Sequence, residues 1–159
     1  MRRTLAVSIG VLLLCCSSGA PAQESASHAA AAEPEIRQFL AGFMAAFDNL
    51  DWEKFRAAFF DDATVFYPRG RANRADGRTE VEAYFTTVFE QIRAGRIHAP
   101  YMDLRPRDLR IKILRSGDTA VVTFHLDDRQ GFVNRRTLIL EKSPGGWKIV
   151  HLHASEVAI

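Results

Sequence analysis

The sequence lacks cysteine beyond its sixteenth residue. Of its 159 residues, only Cys15 and Cys16 carry a thiol, and both lie in an apolar stretch near the start. We expect this stretch to be removed from the mature protein, for the reasons given next. The remaining chain then has no disulfide, no thiolate nucleophile and no cysteine metal site.

Long apolar runs are also absent, apart from one short run within residues 1–22. Arg2 and Arg3 precede an apolar core over residues 5–16, and the small residues Ala20 and Ala22 follow it. This order is typical of a secretory signal peptide, and the apolar core is too short to span a bilayer comfortably. We therefore predict a signal peptide over 1–22, a periplasmic or secreted location, and no membrane span after cleavage.

The expected mature chain also lacks an excess of basic charge. The sequence has 21 Lys and Arg residues against 19 Asp and Glu residues, and without Arg2 and Arg3 both counts are 19. A neutral mature chain gives no reason to expect a nucleic-acid partner. The remaining residues, about 137, suffice for one domain. We predict a disordered lead-in over 23–33 and a folded domain over 34–159.

Helical patterns come first in this domain, and strand patterns follow. Apolar residues at spacings of three and four predict a helix from Pro34, a short second helix capped by Asp51, and a third helix that begins at a Thr79–Glu82 capping box. The strand ATVFYP precedes the third helix, and four strands form a terminal meander. This order predicts an α+β fold in which the helices cover one face of a curved antiparallel sheet.

The last strand, within GWKIVHLHASEV at 146–157, changes from apolar to polar along its length. Strict alternation puts five side chains on one face: Trp147, Ile149, His151, His153 and Ser155. We expect this face to run from an apolar floor into a polar ligand cavity. Val150, Leu152 and Ala154 then form a bare apolar outer face, which predicts a homodimer.

The order of the elements resembles the cone-shaped fold of the nuclear transport factor 2-like superfamily. The segments FDNLDWEKFRAAFFDDATVFYPRG, DGRTEVEAYFTTVFE and RRTLILEKSPGGWKIVHLHAS are similar to its SnoaL-like branch. The association domain of calmodulin-dependent kinase II, in the same branch, also ends in a His-x-His-x-Ser strand after a tryptophan. The resemblance implies three N-terminal helices packed on a curved, mostly antiparallel sheet, with a pocket between them. It does not select a chemistry, because the family includes isomerases, dehydratases, cyclases and oligomerisation modules.

The candidate site residues are His153, Ser155 and Tyr84 as catalytic groups, and His151, Arg136, Trp147 and Tyr67 as ligand-binding groups. The two histidines allow three interpretations: metal ligands with His125 as a third, acid–base groups, or buried hydrogen-bonded residues. No carboxylate lies at a telling spacing, so we expect no metal and no cofactor. Arg135 and Arg136 alternate on the penultimate strand, and we expect Arg136 to face the pocket as an anion clamp.

A second resemblance implies a different activity. The iota-class carbonic anhydrases share this fold, and their pocket tyrosine, histidine and serine correspond to Tyr84, His153 and Ser155. Arg69 stands where that class has a threonine, and Ala154 where it has a serine. Hydration of CO2 is therefore the alternative function.

Taken together, the sequence predicts an exported protein that binds a small, partly apolar molecule, which can be anionic, in a cone-shaped pocket. As an enzyme it would perform cofactor-free acid–base chemistry of the isomerase, dehydratase or cyclase type, with His153 moving the proton and Tyr84 and Ser155 polarising the substrate. As a binding or assembly module it would use the same pocket without turnover. A carboxylate or threonine lining the pocket would favour the enzyme, and the sequence shows neither clearly.

Overall fold

The structure is a computed structural model that describes residues 20–68, 73–96, 98–114, 116–128 and 131–158 and, outside 20–29 and 127–128, their side chains. Most of the predicted signal peptide lies outside these residues. The described elements are, in chain order, α1 (Ala20–Asp48), α2 (Trp52–Ala57), β1 (Phe59–Phe66), β2 (Ala75–Asp76), α3 (Gly77–Gly95), β3 (Arg107–Ile113), β4 (Thr119–Asp128), β5 (Phe132–Ser143) and β6 (Gly146–Ala158).

The strands form one curved, unclosed sheet in the order β2-β1-β6-β5-β4-β3. β1 and β6 run parallel, and all other neighbouring strands run antiparallel. The helices cover one face, here called the inner face, where Val122, Leu138 and Leu140 have no solvent exposure. The opposite face is called the outer face. The predicted α+β fold, with helices packed on a mostly antiparallel sheet, is confirmed.

An aromatic cluster joins the helices to the sheet. The ring of Phe55 on α2 lies 4.7 Å from that of Phe85 on α3 and 5.3 Å from that of Phe43 on α1, measured between centroids. It also lies 5.4 Å from the ring of Phe59 on β1. Full burial of each such ring stabilises the fold by about 1.5–3 kcal/mol. The cluster therefore fixes all three helices relative to the first strand.

The first helix is longer than predicted. α1 begins at Ala20 rather than at Pro34, so the expected lead-in over 23–33 is part of the helix, and Ala32 is buried. The reason is the run of alanines before Pro34, which has high helix propensity although it carries no apolar stripe. Within the described residues, no helix is long and apolar enough to cross a membrane.

The starts of the other two helices have different outcomes. Asp51 caps α2 as predicted, since its carboxylate accepts a hydrogen bond from the Lys54 N–H at 3.2 Å. α3 begins at Gly77, two residues before the predicted capping box, with Asp76 at the N-cap. The Asp76 N–H donates to Oε2 of Glu80 at 3.3 Å. Pairing of Asp76 with β1 fixes this earlier start.

β6 contains a β-bulge at Val150. In the register with β5, Leu140 is opposite Ile149, but the preceding residue, Ile139, is opposite His151. Val150 is therefore an extra residue with no counterpart on β5. One extra residue moves every later side chain of a strand to the other face of the sheet. The two halves of β6 consequently present opposite phases to the inner face.

Candidate functional site

The inner face of the sheet and the helices enclose a cavity of about 1100 Å³. Its floor consists of apolar side chains from β4, β5 and β6: Phe124, Leu126, Leu138, Leu152 and Ala154. Its walls include Phe43 and Phe47 from α1 and Tyr84, Phe85 and Val88 from α3. Small-molecule sites are concave, mostly apolar and of a similar size. The cavity is therefore the candidate functional site.

The segment over residues 101–105 lines one side of the cavity and is held by the end of α1. The Tyr101 N–H donates to the Asp48 carbonyl oxygen at 2.6 Å, and the Leu104 N–H donates to Asp48 Oδ1 at 2.8 Å. Asp48 is half-buried. Burial raises the pKa of its carboxyl, although the hydrogen bond from Leu104 opposes this effect. One residue, through its backbone carbonyl and its side chain, thus ties the segment to the helix.

Polar side chains gather at the end of the cavity where β5 begins and β6 ends. Asn134 and Arg136 reach it from β5, Glu156 from β6 and Tyr84 from α3. In the strand register, Asn134 is opposite Glu156 and Arg136 is opposite Ala154. Because Ala154 is small, it leaves space in front of the arginine. A carboxylate, a guanidinium and a phenol therefore line the same end of the cavity.

Arg136 is half-buried, and its guanidinium is fixed by its own strand. Its Nη1 donates to the Arg135 carbonyl oxygen at 3.0 Å, and its Nη2 donates to Asn134 Oδ1 at 3.4 Å. Burial lowers the pKa of Arg136 to about 10, against the opposing influence of Glu156 and Tyr84. The side chain still carries its positive charge at neutral pH.

The two tyrosines predicted for the site line the cavity together. Their rings are stacked, with centroids 3.5 Å apart and an angle of 23° between the planes. Tyr67 is buried, and its ring also meets the edge of Phe85 at 5.6 Å. The stack fixes Tyr84 on the cavity wall beside the polar end.

Three of the predicted site residues, Tyr67, Tyr84 and Arg136, line the cavity, whereas His151, His153, Ser155 and Trp147 do not. The prediction that alternation takes both histidines into the cavity is wrong, because the bulge at Val150 interrupts it. Leu152 and Ala154, which were expected on the outer face, line the cavity instead.

His151 and His153 lie on the outer face beside β1. The Thr64 hydroxyl and His151 Nδ1 are hydrogen-bonded at 2.7 Å. The ring of Phe66 lies 5.9 Å from the imidazole of His151 and 5.6 Å from that of His153. Burial, together with the charges of His153 and Arg74, lowers the pKa of His151. These contacts describe a hydrogen-bonded histidine on the sheet surface, away from the cavity.

Trp147 precedes the bulge and packs between the sheet and α1. Its Nε1 donates to Glu35 Oε2 at 3.1 Å, and the Lys142 ammonium lies 2.7 Å from the same oxygen. The tryptophan therefore anchors α1 to the sheet and does not touch the cavity.

Metal ligation was one interpretation of the histidines. In the part of the chain that the structure describes, no group of three His, Cys, Asp or Glu side chains is arranged to hold a metal ion. His125, the third ligand in that interpretation, lies on β4 opposite Arg135 of β5.

Sequence reasoning missed Glu156 and Asn134. Asn134 shares the phase of Arg136 on β5 and could have been inferred from it. Glu156 follows from the phase of β6, and one signal could have revealed that phase. Apolar residues are two apart at Trp147 and Ile149, but the next buried one, Leu152, comes three residues later. A spacing of three within a strand indicates an inserted residue. With the phase corrected, Glu156 faces inward.

Comparison with known proteins agrees with this architecture. Residues 36–159 match the SnoaL-like domain family, and no functionally curated protein matches the chain. The structure of a nuclear transport factor 2-like protein of unknown function from Pseudomonas putida KT2440 is 25% identical, with a TM-score of 0.65 over 79% of this chain and 87% of that one. A proposed dehydratase of the same fold family from Streptomyces avermitilis is 20% identical, with a TM-score of 0.66 over 79% and 96%. A proposed ketosteroid isomerase from Shewanella frigidimarina NCIMB 400 is also 20% identical, with a TM-score of 0.59 over 78% and 97%.

Proposed function

The chain belongs to the SnoaL-like family, and we propose that it is an exported, cofactor-free enzyme that moves a proton on a small, partly apolar molecule. One observation carries the proposal: a carboxylate, Glu156, lines the cavity together with the phenol Tyr84. A carboxylate in the pocket is the feature expected to favour an enzyme over a binding module. The apolar floor supports the proposal further, because exclusion of water strengthens electrostatic interactions with a reacting group.

The proposed chemistry is of the isomerase or dehydratase type. Glu156 takes a proton from a carbon next to a carbonyl group, and the electron pair moves onto the carbonyl oxygen as an enolate. The Tyr84 hydroxyl donates a hydrogen bond to that oxygen. An isomerase then returns the proton to a different carbon, whereas a dehydratase releases a neighbouring hydroxyl group, which leaves with the proton as water. The two outcomes share their first step, and proteins of similar fold are assigned to both reactions.

This proposal replaces His153 by Glu156 as the group that moves the proton. His153 and Ser155 lie on the outer face, whereas the phenol of Tyr84 lies in the cavity. The carbonic anhydrase alternative needs all three around one pocket. No observation therefore favours hydration of CO2.

The test uses 3-cyclohexenone and a bicyclic analogue, whose conversion to the conjugated enone is followed by ultraviolet absorbance. The wild type is expected to accelerate this conversion. Glu156→Gln should lose about 100-fold or more of the rate, because a positioned acid–base group contributes about 10²–10⁴-fold. Tyr84→Phe should lose about tenfold or more, since the enolate loses a donor.

His153→Gln and Ser155→Ala are the matched controls on the outer face, and both should retain wild-type rates. A loss of turnover in His153→Gln with full activity in Glu156→Gln would reverse our assignment. Binding of the enones without conversion would identify the protein as a binding module.

A further inference from the structure

The cavity lining carries more positive than negative charge. Among the described lining residues there are four arginines, Arg96, Arg105, Arg107 and Arg136, and two carboxylates, Asp103 and Glu156. Arg105 is ion-paired with Asp103 at 3.1 Å. The arginines of the lining thus outnumber its carboxylates by two, which favours an anionic over a cationic ligand.

Arg136 differs from the other three arginines in its burial. Arg96, Arg105 and Arg107 are exposed, whereas Arg136 is half-buried at the polar end. Its Nη1 and Nη2 groups donate to two neutral acceptors, the Arg135 backbone carbonyl and the Asn134 amide oxygen. A guanidinium has five N–H donors, so two bonds leave donors for a ligand as well as for Glu156. A charge removed from water gains most from an anionic partner.

The position of Arg136 relative to the apolar floor defines the shape of a suitable ligand. Leu138, two residues along β5, and Leu152 belong to the floor, and Ala154 opposite Arg136 leaves space between them. An apolar body placed on this floor reaches the guanidinium with one end. The planar fork of an arginine matches a carboxylate in bidentate geometry.

We propose that the molecule taken by this cavity is an amphipathic carboxylate, and that Arg136 binds its carboxylate group while the floor binds its apolar body. This inference rests on the proposed function in the same cavity and names the substrate class. It assigns specificity to Arg136 and leaves the proton transfer to Glu156.

The experiment measures binding of 2-naphthoate and of its neutral counterpart, 2-naphthamide, by isothermal titration calorimetry at pH 7. The wild type is expected to bind the carboxylate about tenfold or more tightly than the amide, as charge-assisted hydrogen bonds are the stronger ones. Arg136→Gln should abolish this preference and leave amide binding within about twofold. Arg135→Gln, the same change one residue earlier on the outer face, should keep the preference.

Salt provides a measurement that needs no variant. Raising the ionic strength should weaken 2-naphthoate binding by the wild type and leave 2-naphthamide binding unchanged. Equal affinities for the two probes, or no binding of either, would overturn the inference. Conversion of 3-cyclohexenone by the same preparation would then still support the proton-transfer function, so the two failures are distinguishable.

Discussion

Ile149 and Leu152 both lie buried on the inner side of the sheet, although three residues separate them on one strand. In a regular strand, side chains three residues apart point to opposite faces. The extra residue Val150 resolves the conflict, and it also turns Glu156 inward and His153 outward. The chemistry of the second half of β6 therefore depends on the insertion of a single residue.

His151, which is hydrogen-bonded to Thr64 on the outer face, should make the free energy of unfolding depend on pH. The folded protein has a lowered His151 pKa, while the unfolded chain takes up a proton near the ordinary value of 6.5. The unfolded state then binds more protons, so the free energy of unfolding should fall as the pH falls below about 6.5. Urea unfolding at several pH values between about 5 and 8 measures this.

His151→Gln is the comparison, because it removes this titration. Its unfolding free energy should change less over the same interval than that of the wild type. His153 and Arg74 are the charged groups that act on His151 there. Identical pH profiles for the wild type and the variant would contradict the assignment.

The sequence predicted residues on regular elements more reliably than residues on irregular ones. Arg136 was placed correctly because β5 keeps strict alternation over the residues that line the cavity. Tyr84 was placed correctly because α3 keeps its helical period beside Phe85. The phase of β6 failed because strict alternation was extended through Val150. The order of the elements was sufficient for the fold, since one bulge does not alter strand pairing.

The segment beside the cavity could not be predicted by periodicity. Residues 101–105 are irregular, and their position depends on Asp48, which lies 56 residues before Leu104. Such a long-range contact leaves no local pattern in the sequence. Asp103 and Arg105 were consequently absent from the predicted site.

Two substitutions test whether the Asp48 side chain holds the segment over residues 101–105 in place. Asp48→Ala removes the acceptor of the Leu104 N–H and should lower the free energy of unfolding by about 1–3 kcal/mol. Asp48→Asn keeps an acceptor oxygen and removes a partly buried charge, so at pH 7 it should be at least as stable as the wild type. Thermal or urea unfolding measures both variants.

The pH dependence of the same comparison has a defined sign. Burial raises the pKa of Asp48 above 3.8 in the folded state, so the folded protein holds the Asp48 proton more tightly than the unfolded chain does. The stabilisation that this proton gives is full below pH 3.8 and is lost as the pH rises through the folded pKa. The advantage of Asp48→Asn should therefore shrink on acidification. A loss in Asp48→Asn as large as that in Asp48→Ala would show that the charge itself is needed.

Self-association through the outer face stays a prediction. Leu152 and Ala154 no longer belong to that face, because they line the cavity. The apolar surface of the outer face includes Phe66, 38% exposed, and Val157, 43% exposed. Light scattering at micromolar concentration should return a dimer, the commonest closed assembly. Phe66→Lys should yield monomers, whereas Leu114→Lys, at a similarly exposed position just after β3, should not. A monomeric wild type would contradict this prediction.

Export is predicted from the first 22 residues. Intact-mass analysis of the protein from its native host should give a chain that begins at Gln23. Ala22→Leu should block processing, because the cleavage site requires a small residue at this position. A full-length cytoplasmic wild type would contradict both the location and the neutral charge of the mature chain.

Ala154 offers the most direct test of the polar end of the cavity. It is buried, lies opposite Arg136 on the neighbouring strand, and faces the cavity. Ala154→Leu would fill the space in front of the guanidinium without entering the packed aromatic cluster. We expect affinity for 2-naphthoate to fall about tenfold or more, since loss or gain of a methylene in a pocket changes binding by about 10–200-fold. The melting temperature should not fall, because the added carbons occupy a cavity. Ser155→Leu places the same side chain one residue later on the outer face and should bind 2-naphthoate like the wild type. If instead Ser155→Leu lost binding and Ala154→Leu kept it, the phase of β6 beyond Val150 would be the reverse of that described.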